Sequence, residues 1–201
     1  MADGARAIVR GARVWLRPFE PSDLDAYHRF ISDVDVAYWA GYGGPESRDS
    51  VDSWYEKHVK GKHGSSFFVI CPLGSDEFIG TVWIWESDSR IGGLELSIFV
   101  GDTERWGTGI GTDAMNAALD ATFGFRRAER VWLMTSTDNE RGQRAFEKVG
   151  FTREGVLRRQ HWSRGKNRDA VLMSILREEW EQLDRPRSWD YPADGSIADT
   201  P

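Results

Sequence analysis

The sequence has one cysteine, no basic excess and no long apolar run, and each absence excludes a class of protein. A lone cysteine cannot form an internal disulfide, which rules out a disulfide-stapled scaffold and is typical of a reducing compartment. The 26 Lys and Arg residues against 32 Asp and Glu give a net charge of −6, whereas nucleic-acid binders carry a basic face. No stretch approaches the roughly 20 apolar residues of a membrane-spanning helix, and the first residues lack the apolar core of a secretory signal. We therefore expect a cytoplasmic protein that binds neither nucleic acid nor membrane.

The remaining composition describes a globular chain with two unusual counts. Its 201 residues suggest one large domain, and they include ten Trp and 21 Gly. The single cysteine, Cys71, lies in an apolar run and is expected to pack as a small hydrophobic side chain. The four histidines are scattered without the spacing of a zinc site, so no metal is expected. The Pro, Asp and Ser content of residues 186–201 predicts a disordered tail after a domain over residues 1–185.

The spacing of apolar residues predicts a mixed α/β domain. The expected strands are Ala12–Arg17, Phe67–Cys71, Phe78–Trp85, Leu94–Val100, Val131–Ser136, Phe151–Trp162 and Arg168–Leu176. The expected helices run from Leu24 to Ile31, from Val51 to Val59, from Ile110 to Ala121, over Asn139–Val149 and over Arg177–Leu183. Between the first two helices, residues 33–46 are expected to form a connection that includes a Gly- and Pro-rich loop.

The most informative segment is the loop at residues 105–112, Arg-Trp-Gly-Thr-Gly-Ile-Gly-Thr. Alternate glycines let backbone amides approach an anion, and the helix that follows directs its amides and positive dipole end to the same place. A phosphate-bearing ligand is one interpretation, and an ordinary glycine-rich turn is the other. The segment lacks the Lys of a Walker loop. Its third glycine also comes one position too early for a dinucleotide fingerprint.

Several segments together resemble the GCN5-related N-acetyltransferases (GNAT family), and in particular a subgroup similar to ribosomal-protein-alanine acetyltransferases. The loop matches the family's Q/R-x-x-G-x-G/A pattern as Trp106-x-x-Gly109-x-Gly111, with Trp in place of Gln or Arg. Residues 16–23, 139–151, 155–158 and 169–174 resemble further family segments in the right order. The resemblance implies a single GNAT-like domain with a central mixed, mostly antiparallel sheet flanked by helices. It also implies that the strands Leu94–Val100 and Val131–Ser136 are parallel neighbours that splay apart at the cofactor site.

By this resemblance the co-substrate is acetyl-coenzyme A. Its pantetheine arm would bind the main chain of Ile98 and Val100, and its pyrophosphate would bind the amides of the glycine loop. Asn139 would bind the arm or simply cap a helix. The cofactor-binding residues that the resemblance implies are Ile98, Phe99, Val100, Arg105, Trp106, Gly107, Thr108, Gly109, Ile110, Gly111, Thr112, Asn139 and Phe146.

The implied reaction is direct transfer of the acetyl group to an amine, which must lose a proton before it attacks. Strand alternation places Glu95 and Ser97 on one face, so Glu95 is the candidate base; the alternative is a solvated strand glutamate. The Tyr that many relatives use to protonate the thiolate is replaced here by Phe146. Ser97, Ser136, His161 or water could serve instead. A thiol pKa near 8.5 also allows departure without an acid.

The acceptor is the least determined part. By the resemblance it would lie between residues 33–46 and the late hairpin near residues 161–166, with Trp39, Tyr42 and Glu95 as substrate-binding residues. Aromatic rings with carboxylates suit a cationic amine, although ordinary core packing of these rings is the alternative. A protein N-terminus, a polyamine and an amino sugar all remain open, as does a homodimer. A non-catalytic acyl-coenzyme A sensor of the same fold is the alternative function.

Overall fold

The computed structural model describes residues 9–42, 44–61, 66–86 and 92–192, and its strands form an eight-stranded sheet in the order β1-β2-β3-β4-β5-β6-β8-β7. The strands are β1 (Val9–Arg10), β2 (Val14–Pro18), β3 (Ser66–Pro72), β4 (Gly80–Glu86), β5 (Leu94–Val100), β6 (Arg130–Ser136), β7 (Thr152–Ser163) and β8 (Lys166–Leu176). The helices are α1 (Leu24–Ile31), α2 (Val34–Ala40), α3 (Arg48–His58), α4 (Ile110–Phe125), α5 (Glu140–Val149) and α6 (Arg177–Glu181). Neighbouring strands are antiparallel except β5 and β6, which confirms the predicted mixed, mostly antiparallel sheet. Of the helices in these ranges, none is long and apolar enough to cross a membrane.

Helices cover both faces of the sheet, and each face has its own buried cluster. On one face α4 contributes Met115 to a cluster that contains Ile84 of β4. On the other face α1 and α3 contribute Ile31 and Val51 to a cluster that contains Cys71. Burial raises the pKa of the Cys71 thiol to about 11, so the thiol stays protonated at neutral pH. Cys71 therefore packs as a small apolar side chain, as expected.

The parallel strands β5 and β6 are neighbours only at their beginnings. Their pairing ends at Glu95, which lies opposite Trp132. Beyond that point β5 stays paired with β4 as far as Val100, and β6 stays paired with β8 as far as Ser136. Because each strand follows its antiparallel neighbour, the two separate and leave a gap in the sheet. The predicted splayed pair is thus confirmed.

Helix α2 lies where the sequence predicted only a connection, and that prediction was wrong. The Asp33 side chain caps the helix by accepting hydrogen bonds from the amides of Asp35 and Val36 at 2.9 and 3.0 Å. The helix buries Val36 and Ala37 and ends at Gly41, whose φ is +83°. Its periodicity is hard to detect because the helix is seven residues long and has Val, a weak helix former, at its first and third positions.

The segment 186–192 packs against the domain, so the prediction of a disordered tail from Pro186 is corrected for these residues. Ser188 is buried, and its amide donates to the Asp120 carboxylate of α4 at 2.8 Å. Arg10 donates to the Pro192 carbonyl at 2.7 Å and lies over the Tyr191 ring. These contacts link residues that are far apart in the sequence, so local composition could not predict them. Residues 193–201 lie outside the described part of the chain.

Candidate active site

Two adjoining cavities open where β5 and β6 diverge. The first cavity, about 330 Å³, lies between the loop before α4 and the N-terminal part of α5. The second cavity, about 400 Å³, lies between the end of α2 and the β7–β8 hairpin. Both are lined by Trp39, Ala40, Ile98, Asn139 and Phe146. The gap between the strands is therefore shared by two sites of different composition.

The glycine loop presents open backbone to the first cavity. Gly107 and Gly109 have φ values of +78° and +90°, in the left-handed region that favours glycine. A Cβ added at either position would meet no atom within 4 Å, and one at Gly111 would meet only Val100 Cγ2 at 3.8 Å. The 16-residue helix α4 begins directly after Gly109, and its first amides have no partner within the helix. Open backbone beside a helix N-terminus is the arrangement that binds phosphate groups.

Two side chains hold this loop between β2 and β5. The Trp106 indole N–H donates to the Val100 carbonyl oxygen at 2.8 Å. Arg13 of the β1–β2 turn donates to the Thr108 carbonyl oxygen at 2.9 Å. The Val100 carbonyl is thus already engaged by Trp106, so the Val100 amide is the main-chain group that could serve a ligand there.

Arg105, the basic residue of the loop, is largely neutralised by acidic neighbours. Its Nε is 2.7 Å from Asp102 Oδ2, and its Nη2 is 3.1 Å from Glu77 Oε2. These ion pairs raise the pKa of Arg105. Arg105 lines the first cavity, but its charge is shared with two carboxylates.

Helix α5 supplies three further cations to the first cavity, of which Arg144 is paired with Glu140 at 3.2 Å. The Arg141 guanidinium lies 3.9 Å from the centroid of the Trp106 ring, and burial lowers the pKa of Arg141 because it removes part of its hydration. Arg144 and Lys148 line the same cavity, three and seven residues further along the helix. This spacing places all three cations on one helix face. Trp106 occupies the position at which the family pattern has Gln or Arg. In this chain the cation at that place comes instead from Arg141 of α5.

The edge of β5 that faces β6 borders the gap beyond Glu95. On the β4 side, the Gly101 amide donates to the Ile79 carbonyl at 2.8 Å, while the Val100 carbonyl points to the opposite side. Main-chain groups of a strand alternate between its two edges. The amide and carbonyl of Ile98 therefore share the gap-facing edge with Val100.

The Asn139 side chain makes two hydrogen bonds within the protein. Its Oδ1 accepts from the Gly142 amide at 3.0 Å, and its Nδ2 donates to Thr135 Oγ1 at 2.9 Å. Gln143 donates to the carbonyls of Ser136 and Thr137 at 3.2 and 3.0 Å. The capping role of Asn139 is thus present, and these bonds attach α5 to the end of β6 at the floor of both cavities.

The second cavity combines a carboxylate with aromatic rings. Glu95 and Ser97 line it from β5, and Ser136 lines it from β6. The aromatic side chains that line it are Tyr38, Trp39, Tyr42, Trp85, Phe146, His161 and Trp162. Strand alternation therefore placed Glu95 and Ser97 correctly on one face, and the cavity brings them together with Ser136.

The Tyr42 hydroxyl is directed into the protein core. It lies 2.6 Å from the Tyr27 hydroxyl, and burial raises the pKa of both phenols. Both hydroxyls therefore stay protonated, and the Tyr42 side chain contributes its ring to the wall of the second cavity. Phe146 is buried and has no ionisable group.

A family model described as an acetyltransferase (GNAT) domain matches residues 13–152, which is more than half of the chain. The chain belongs to the GNAT acetyltransferase family. It is an acyltransferase, and acetyl-coenzyme A is its co-substrate.

Similar proteins include two enzymes that act on small amines. This acetyltransferase is 28% identical over 169 residues to the spermidine N(1)-acetyltransferase of Escherichia coli (strain K12), covering 83% of this chain and 88% of that protein. It is 23% identical over 156 residues to the aminoglycoside N(6')-acetyltransferase type 1 of Klebsiella pneumoniae, covering 72% of this chain and 76% of that protein. These relatives support the family resemblance but not the specific likeness to ribosomal-protein-alanine acetyltransferases.

A solved structure supports the fold. The crystal structure of spermidine N-acetyltransferase from Vibrio cholerae in complex with CoA and spermine has a TM-score of 0.76 to this acetyltransferase. The two are 24% identical, over 84% of this chain and 98% of that chain.

Most of the residues expected at the cofactor site do line the first cavity of this acetyltransferase. These are Ile98, Phe99, Val100, Arg105, Trp106, Gly107, Gly109, Gly111, Thr112, Asn139 and Phe146. Two expected residues do not line it. The Thr108 hydroxyl donates to the Arg105 carbonyl at 2.7 Å, and the Ile110 side chain packs against the core. Thr108 and Ile110 could therefore contact the cofactor only through their main-chain atoms.

Sequence reasoning missed the cations Arg141, Arg144 and Lys148 of the first cavity. A basic helix face at that spacing was visible, but such faces are usually solvated, and no local signal indicates which cavity they border. Within the described ranges, no cluster of three or more His, Cys, Asp or Glu residues could hold a metal ion.

The first cavity fits the phosphate-bearing end of acetyl-coenzyme A. Three observations of this chain agree: the open backbone at Gly107, Gly109 and Gly111, the start of α4 and the cationic face of α5.

Proposed function

We propose that this acetyltransferase acetylates the primary amine of a small cationic acceptor of the polyamine type, held in the second cavity. The observation that carries the proposal is the composition of that cavity, in which Glu95 stands among aromatic rings beside the gap shared with the first cavity. Carboxylates and aromatic faces both attract ammonium groups. The spermidine N(1)-acetyltransferase relative supports the same class of acceptor.

The residues that would hold acetyl-coenzyme A follow from the first cavity. The amides of residues 106–112 and the cations of α5 would bind its phosphates, and the main chain of Ile98 would bind its pantetheine arm. Bound acetyl-coenzyme A supplies an acetyl thioester as the electrophile. The Ile98 amide would donate a hydrogen bond to the acetyl carbonyl oxygen, since developing negative charge there needs a donor. The Phe99 amide lies on the edge of β5 that pairs with β4, so it would not serve this role.

Glu95 would accept the proton that the acceptor ammonium must lose, directly or through one water molecule. Ser97 and Ser136 would orient the amine or that water. Phe146 cannot protonate the leaving thiolate, so water or one of these hydroxyls would do so, or the thiolate would leave as the anion. A thiol pKa of about 8.5 makes this last route feasible.

The acceptor is tested by measuring release of coenzyme A from acetyl-coenzyme A with a panel of amines. The panel contains spermidine, an aminoglycoside and a peptide with an N-terminal alanine. We expect the highest kcat/KM with spermidine. Turnover with the peptide alone would contradict the polyamine proposal. Tight binding of acetyl-coenzyme A without turnover of any amine would instead favour a non-catalytic sensor.

Replacing Gly111 with alanine tests the cofactor site without damaging the fold. The new methyl group would meet only Val100 Cγ2, at 3.8 Å, and alanine in a helix is favoured over glycine by about 0.5–1 kcal/mol. We therefore expect a slightly more stable protein whose affinity for coenzyme A falls about tenfold, equivalent to about 1.4 kcal/mol, measured by calorimetry. Gly155→Ala, which also adds a methyl group into open space but far from the cavity, is the matched control. Unchanged affinity in Gly111→Ala would remove the glycine loop from cofactor binding.

The proposal keeps two further expectations from the sequence. The enzyme would act in the cytoplasm, which the single buried cysteine fits. It could also form a homodimer, which sedimentation would detect.

A further inference from the structure

An arginine side chain occupies a cation-binding arrangement at the rim of the second cavity. The Arg164 guanidinium carbon lies 3.9 Å from the centroid of the Tyr38 ring. Its Nη2 is 3.3 Å from Asp35 Oδ1. Tyr38 lines the cavity from α2, and Ser163, next to Arg164, lines it from the hairpin. The contact therefore joins the two walls between which the acceptor would enter.

The backbone at Arg164 shows that this position is unusual for arginine. Ser163 pairs with Lys166, so Arg164 and Gly165 form a two-residue hairpin turn, with φ values of +48° and +72°. Such turns favour Asn, Asp or Gly at both positions, because β-carbons disfavour positive φ. The tight turn holds the Arg164 side chain beside α2.

The contacts of Arg164 are weak enough for another cation to displace. Its side chain is 52% exposed and that of Asp35 is 70% exposed. Exposed ion pairs and exposed cation–π contacts are both marginal, since water competes for the charges. An ammonium group that arrives tethered to a bound acceptor has a high effective concentration at the rim.

We propose that Tyr38 and Asp35 form a second cation subsite at the mouth of the acceptor cavity, which Arg164 occupies until a distal ammonium of the acceptor displaces it. The inference rests on the proposed function and deepens it. The subsite recognises acceptors that carry a second positive charge, and Arg164 acts as an internal competitor. Arg164 therefore weakens the binding of amines that carry several charges and leaves the binding of amines with a single charge unaffected.

The test is Arg164→Asn, which removes the cation and installs the Asn-Gly pair that this turn type favours. With spermine as acceptor, KM should fall about twofold to fivefold, the gain expected when an exposed competing contact is removed. With a monoamine, KM should stay unchanged. Arg164→Lys, which keeps a cation at the position, is the matched control. Its KM for spermine should stay close to that of the wild type. Adding Asp35→Asn to Arg164→Asn should abolish the gain for spermine.

Two outcomes would overturn the inference. If KM rose for every amine in Arg164→Asn, Arg164 would be a residue that maintains the shape of the cavity. If the wild type and Arg164→Asn had the same KM for spermine, the subsite would bind no ammonium group. Calorimetric binding of spermine to the wild type and to Arg164→Asn makes the same comparison without turnover. Failure of the proposed function, seen as no acetylation of any amine, is therefore distinguishable from failure of the subsite.

Discussion

Replacing Glu95 with glutamine is expected to lower kcat about 10²- to 10⁴-fold, the usual contribution of a positioned general base. Glu95 lies on β5 at the end of its pairing with β6 and lines the second cavity. Glutamine keeps the shape of the side chain but cannot take the proton of the acceptor ammonium. The affinity for coenzyme A, measured by calorimetry, should not change, because the glycine loop and the cations of α5 line the first cavity, whereas Glu95 lines the second.

The pH dependence separates a base from a binding group. Aliphatic ammonium groups have a pKa of about 10.4, so the unprotonated fraction of the acceptor rises as pH increases towards that value. The difference in kcat between the wild type and Glu95→Gln should therefore become smaller as the pH rises, because the variant depends on amine that is already deprotonated. Glu86→Gln, the same change at the exposed end of β4, is the matched control and should behave as the wild type. A Glu95→Gln variant with wild-type kcat at neutral pH would remove Glu95 from the mechanism.

The second large effect concerns stability. Asp120→Ala is expected to reduce the free energy of unfolding by about 3–5 kcal/mol, because a buried ion pair would lose one partner. Asp120 is 1% exposed. It accepts from Arg185 Nη2 at 2.7 Å, Trp180 Nε1 at 3.0 Å and the Ser188 amide at 2.8 Å. Without the carboxylate, the buried Trp180 indole and Ser188 amide would lose this acceptor, and Arg185 would lose its ion pair.

Urea denaturation with linear extrapolation measures this change. Asp184→Ala is the control, since Asp184 is an exposed acid in the same C-terminal segment and surface substitutions usually stay within about 0.5 kcal/mol. A loss below about 1 kcal/mol in Asp120→Ala would mean that the contacts of Asp120 with the C-terminal segment contribute little to stability.

Features with a short-range signal were predictable from the sequence. The alternation along β5 placed Glu95 and Ser97 on one face because side chains of a strand alternate with a period of two. The glycine loop before α4 was predictable for a similar reason, since Gly107 and Gly109 adopt positive φ values that other residues disfavour. Both inferences need only a few consecutive residues.

The walls of the two cavities were decided by contacts between distant segments. Arg141 reaches Trp106 from another helix, and Arg164 reaches Tyr38 from a hairpin more than a hundred residues away. Helix α2 carried too weak a periodic signal to be predicted.

The sequence by itself therefore determined the family, the glycine loop before α4 and the strand position of the candidate base. Only the tertiary structure decided which cations and aromatic rings line the two cavities. The physical reason is that local conformation depends on neighbouring residues, whereas the composition of a cavity depends on how separate elements pack.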